Sequence, residues 1–136
     1  MATFIGGDLL DITCTHLGQT YRYSPKANEG GNIDKGGRRT NDDQSQLTSN
    51  AQNIRQINNT RWMLDCPIAI DLASGYEEDS LNLMSGSPVE GIWVITHISG
   101  AIFKGKGSPV GDIQSDSNTA TMTLKIAGAG FLETIN

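Results

Sequence analysis

Thr119-Ala120-Thr121-Met122-Thr123-Leu124-Lys125-Ile126-Ala127 alternates apolar and polar side chains along its length. Ala120, Met122, Leu124 and Ile126 fall on one side; Thr121, Thr123 and Lys125 fall on the other. A period of two belongs to a strand with one buried face and does not fit a helix of 3.6 residues per turn. Gly128-Ala129-Gly130 ends the run, and residues 131–135 follow as a tail with apolar anchors.

Upstream, the same grammar recurs. Residues 91–98 are rich in β-branched side chains around Trp93, which predicts a strand. Ser99-Gly100 is a two-residue hairpin signal, and residues 101–104 return. Residues 105–111, Gly-Lys-Gly-Ser-Pro-Val-Gly, have the composition of a turn-rich link. Further back, Trp62, Leu64 and Cys66 alternate with Met63 and Asp65, and Ile68, Ile70 and Leu72 with Ala69 and Asp71. Pro67 between them predicts an edge or a bulge, because proline cannot donate to a ladder. At the N-terminal end, Leu10, Ile12 and Cys14 share one face of a strand over residues 8–15. Residues 16–19 make a turn, and Tyr21 and Tyr23 share a face of the returning strand.

One short helix is expected over residues 74–86. Ser74 and Glu77 have capping-box spacing, and Glu77-Glu78-Asp79 places acid where the helix dipole favours it. Tyr76, Leu81 and Met84 form its apolar stripe; Gly86 and Pro88 end it. These patterns define a mainly β chain: a single domain over residues 1–136, folded as an antiparallel β-sandwich or barrel with one short flanking α-helix and a long polar loop.

The polar loop is residues 24–59. It holds four large apolar side chains, Ile33, Leu47, Ile54 and Ile57, among Gly, Asn, Asp, Gln, Ser, Lys and Arg. Such a stretch buries little of itself and takes its order from outside its own chain, or has none. The last three apolar residues suit two short strands around an Asn50 turn better than a helix, since good helix formers are few here. Arg38 and Arg39 stand close to Asp42 and Asp43. That arrangement suits either a solvated loop or a self-complementary patch pairing across a subunit boundary, where exposed charges set register more than affinity.

Net charge is −5 and pI about 4.8. A protein that grips nucleic acid through its phosphates shows a basic stripe instead. Cys14 and Cys66 fall on apolar strand faces, as core thiols do. Residues 1–11 lack the basic start and apolar run of a signal peptide, and no stretch approaches the ~20 apolar residues of a membrane span. The expectation is a chain made in the cytoplasm, with no membrane insertion.

Chemistry has little purchase. His16 and His97 stand at no metal-ligand spacing, and HExxH, CxxC and GxSxG are absent. Gly105-Lys106-Gly107 lacks the Ser or Thr of a phosphate loop. Asp112, Asp116 and Asn118 lack the Gly and Glu of a calcium loop. No catalytic residue, metal or cofactor is expected, and the chain is expected not to be an enzyme.

The run Gly36-Gly37-Arg38-Arg39-Thr40-Asn41-Asp42-Asp43, then Ile54, Asn58-Asn59 and Arg61-Trp62, resembles the long-loop region of phage tail tube proteins of the contractile-tail type. So does the series Trp93, Gly100, Phe103, Gly105, Gly107, Pro109-Val110-Gly111-Asp112, residues 119–126 and Gly128. The resemblance covers most of the chain from about Gly30 onward. It implies a structural virion protein that self-assembles into stacked hexameric rings, forming the inner tail tube through which the genome leaves. The implied partners are copies of itself, the tail sheath protein, the tape-measure protein and baseplate or terminator proteins. DNA would pass through without specific binding, and the protein would reside in the virion tail. Residues 24–59 would be the extended inter-subunit loop, with Lys35, Arg38, Arg39, Asp42, Asp43, Phe131 and Leu132 as interface residues. A tube-initiating baseplate ring protein would share the fold. Outside the resemblance, a monomeric β-sandwich carbohydrate-binding module is the alternative, with Trp62, Trp93, Tyr21 and Tyr23 as stacking residues.

Overall fold

The computed structural model describes residues 3–41 and 47–135. Its elements are β1 (Leu9–His16), β2 (Gln19–Pro25), β3 (Asn32–Asp34), β4 (Gly37–Asn41), β5 (Gln56–Thr60), β6 (Trp62–Ala69), α1 (Tyr76–Ser85), β7 (Gly91–His97), β8 (Ile102–Pro109), β9 (Ser115–Asp116), β10 (Thr121–Gly128) and β11 (Glu133–Ile135). The chain is mainly β, with antiparallel pairing throughout and one short helix.

Following the ladders gives a ring: β8 to β7, β1, β2, β6, β10 and back to β8. Two short joints close it, Ser24 and Pro25 opposite Ala69 and Ile68, and Ile126 and Ala127 opposite Pro109 and Ser108. Where β8 diverges from β10, the C-terminal strand β11 pairs with it through residues 102–104. β3 covers β6 beyond the end of β2, and β9 extends β10. Pro67 sits in the gap between β2 and β3 along β6. Its carbonyl accepts from Lys26 N at 3.0 Å. Its ring nitrogen faces the same side, at a point where neither strand ladder reaches it.

The inward residues of these strands fill the interior. Ile12, Cys14, Tyr23, Trp62, Leu64, Cys66, Ile68, Trp93, Ile95, Leu124 and Ile126 are buried. Both indoles are fully enclosed and satisfied: Trp62 Nε1 donates to Lys106 O and Trp93 Nε1 to Gly107 O, each at 3.0 Å. α1 packs against the body near β8, reaches inward-facing side chains of β1 and β2, and buries Ser80, Leu81 and Met84. There the hydroxyls of Tyr23 and Ser80 share a 2.8 Å hydrogen bond, and the Cys14 thiol meets Met84 Sδ at 3.4 Å. Burial raises the Cys14 thiol to about 12 and the Cys66 thiol to about 11, and both are free. No described helix is long and apolar enough to cross a membrane.

Four local expectations are corrected. Residues 105–109 are the second half of β8 rather than a link. Their glycines make room for Trp62: a Cβ on Gly107 would lie 2.8 Å from Trp62 Cζ2, and one on Gly105 2.9 Å from Trp62 Cε2. In β1 it is Leu9, not Leu10, that points inward, because a bulge between Leu9 and Asp11 resets the alternation. The helix begins at Tyr76 after Gly75 in the left-handed region; Ser74 Oγ accepts from Tyr76 N at 3.3 Å, rather than from the Glu77 amide that a capping box would use. Glu77 accepts instead from Asp71 N at 2.7 Å. The loop joining β7 and β8 is residues 98–101, two longer than the dipeptide signal, and His97 N donates to Ala101 O across it.

Candidate assembly interface

Residues 24–59 divide into two parts. The first stays with the body, since Pro25 ends β2 and Ile33 in β3 packs against the core. The second leaves it. At Gly36 and Gly37 the backbone takes φ of 73° and 94°. A side chain on Gly36 would meet Trp62 N at 2.6 Å and Thr60 O at 2.7 Å, so the turn needs glycine on both conformational and steric grounds. Beyond it, among the described residues, β4 and β5 pair only with each other, from Gly37 opposite Thr60 to Asn41 opposite Gln56. Leu47 bridges Asn53 farther out, around a turn closed by Thr48 and Gln52. Five residues of strand span about 17 Å.

This arm is exposed on both faces. Ile57 is 55% exposed, and Leu47 and Ile54 are similarly open. Each strand also has one free edge among the described residues. An isolated two-stranded ribbon is marginally stable in water, and free edges pair readily with added strands.

The root of the arm is fastened to the C-terminal segment. Leu132 N donates to Lys35 O at 2.9 Å, and Gly36 bridges Phe131. The Lys35 ammonium reaches Thr134 Oγ1 and lies 5.2 Å from the Phe103 ring centroid. Asp34 accepts from Gly36 N and from Arg39 Nη1, both at 2.9 Å, while Arg39 Nη2 reaches its other oxygen. The Arg39 bonds, and then the Gly36 amide, hold the Asp34 carboxyl below the usual carboxylate range. A cleft of about 450 Å³ opens beside the root, lined by Gly37, Asn59, Thr60, Arg61, Ala129 and Gly130.

Of the expected interface residues, Lys35, Phe131 and Leu132 meet at the root, and Arg38 and Arg39 lie just beyond it on β4. Arg38 is exposed on the arm and makes no ion pair among the described residues. Arg39 is exposed too, but its partner is Asp34 of its own chain. Asp42 and Asp43 lie outside the described residues. Lys35 is committed to the C-terminal strand, and Phe131 is half open beside Gly37. Leu132 is a correction: it is 0% exposed, packed where a Cβ on Gly105 would touch it, and is core rather than surface. Asp34 was missed because nothing local distinguishes it from other loop acids; its role follows from the turn at Gly36.

The stacking residues proposed for a carbohydrate-binding module are mostly enclosed. Trp62, Trp93 and Tyr23 are 0% exposed, with Tyr23 and Trp93 stacked on each other at 6.0 Å. His16 is buried against Ser87 Oγ and the Val89 carbonyl. No group of His, Cys, Asp or Glu among the described residues is arranged to hold a metal ion. Neither protein-family models nor curated proteins match this chain.

Proposed function

We propose that this protein is a structural subunit that completes itself by assembling with its own copies, of the phage tail tube kind named by its sequence resemblance. In that role it builds stacked rings around a conduit for the genome and does no chemistry. The arm carries the proposal: a two-stranded ribbon with exposed leucine and isoleucine and, among the described residues, two free edges, beside a barrel ring whose strands are each paired on both sides. Apolar side chains held in water on a marginal ribbon are stabilised when a neighbour covers them. The acidic total supports a conduit, since phosphate contacts would slow a passing strand. Enclosure of both tryptophans weighs against the carbohydrate-binding alternative.

Electron microscopy and sedimentation of the purified chain over a rising concentration series test this. Rings or hollow filaments are expected. A dispersed monomer at millimolar concentration refutes the assembly role.

A further inference from the structure

Charge is segregated along this chain. Residues 35–61 carry five cationic and two anionic side chains; the rest of the chain carries five and thirteen. A basic arm stands on an acidic body.

Register sorts the arm's side chains onto two faces. Arg39 and Asn58 share one with Asn41 and Gln56; Arg38 and Asn59 share the other with Thr40 and Ile57. The first face is occupied within the chain. Arg39 holds Asp34, and the Gln56 and Asn41 amides donate to Asn58 Oδ1 at 3.1 and 3.3 Å. The second face is open. Arg38 has no ion pair among the described residues, Ile57 is exposed, and Arg55 donates to Thr40 Oγ1 at 3.0 Å, which draws its guanidinium to this side.

A surface of the body has the complementary make-up. α1 opens on Glu77, Glu78 and Asp79 and has no basic residue in its last turn. Asp71 precedes it and Glu90 follows. Glu77 is engaged with Asp71 N, while Glu78 and Asp79 make no ion pair among the described residues. Leu72, Tyr76, Leu83 and Val89 are exposed among these acids. Both surfaces interleave apolar groups with charge, of opposite sign. Among the described residues β4 and β5 make their substantial contacts with each other and not with the chain's own helix.

Resting on the assembly reading above, we propose that the Arg38, Ile57 and Arg55 face of the arm docks on the α1-bearing surface of a second copy. Guanidinium groups meet Glu78 and Asp79, and Ile57 meets the helix's exposed apolar side chains. Nucleic acid would satisfy the guanidiniums but offers an exposed isoleucine nothing, and it would approach an acidic body.

Charge exchange in the full chain tests the match. Sedimentation velocity compares the native chain with Arg38→Glu/Arg55→Glu, with Glu78→Arg/Asp79→Arg, and with all four changes together. Each pair alone is expected to raise the concentration needed for assembly about tenfold or more, and the fourfold variant to recover most of that loss. Helix-terminal reversal also weakens the helix dipole interaction. Ile57→Asp is therefore added, expected to impair assembly as strongly with unchanged melting. A native chain that stays monomeric refutes the assembly reading and this one together. A native chain that assembles, with no recovery in the fourfold variant or no effect of Ile57→Asp, refutes this docking alone. DNA retardation lost on Arg38→Glu/Arg55→Glu, with assembly intact, would assign the face to nucleic acid and overturn the proposal.

Discussion

Every strand of the barrel ring has a neighbour on both sides, whereas each strand of the arm has one among the described residues. The two regions use the same alternating backbone and reach opposite ends of the burial scale. In β6, Trp62, Leu64, Cys66 and Ile68 are enclosed, while in β5 all residues but Thr60 are exposed. The difference lies in what stands opposite the apolar side chains. Trp62 has β8 glycines cut to its shape; Ile57 has water. A strand pattern therefore describes a backbone, and completeness depends on whether both edges and one face find partners.

The largest break in that comparison comes from the indole cradle. Trp62→Ala should cost about 3–5 kcal/mol in a denaturant melt, as for large core truncations. Gly128→Ala should be comparably damaging, because its Cβ would overlap a backbone carbonyl. The same truncation on the arm, Ile57→Ala, should move monomer stability by less than about 0.5 kcal/mol. Similar losses at Trp62 and Ile57 would erase the distinction.

A finer contrast joins the two regions at the C-terminal segment. Leu132→Ala should cost about 2–5 kcal/mol, and Phe131→Ala well under half of that, although the residues are neighbours. One is enclosed and the other half open beside the arm root. Equal losses in the melts would mean that Phe131 belongs to the body.

The smallest effect is at Asp34. Its native carboxyl titrates below its unfolded value, so the folded state binds fewer protons there. The contribution is present above the ordinary carboxylate pKa of ~4 and disappears as pH falls through the depressed native value. Protection of the Gly36 amide should fall across that acidic window while amides of β10 stay protected. Asp34→Asn should remove the pH dependence; an unchanged profile in that variant would assign it elsewhere.

Most of the fold could be read because it rests on local alternation. Residues 119–127 and 61–69 announced β10 and β6, and Leu81 and Met84 marked the buried side of the helix. What escaped depended on distant neighbours. The glycines of β8 look like turn formers until Trp62, far off in sequence, is seen to need their space. Leu10 misled because a single bulge reverses the alternation. Leu132 carries no periodic signal in so short a tail. At the candidate interface, the exposed polarity of the arm was readable from composition. The partner of Arg39 was not: Asp34 is brought to it by the glycine turn, a contact that sequence proximity alone does not single out.

Amide hydrogen exchange across a concentration series addresses body and arm together. Amides of β6 and β10 should be protected in dilute and concentrated protein alike, while those of β4 and β5 exchange freely when dilute and become protected on assembly. Arm amides as protected in a dilute monomer as those of β10 would contradict the account.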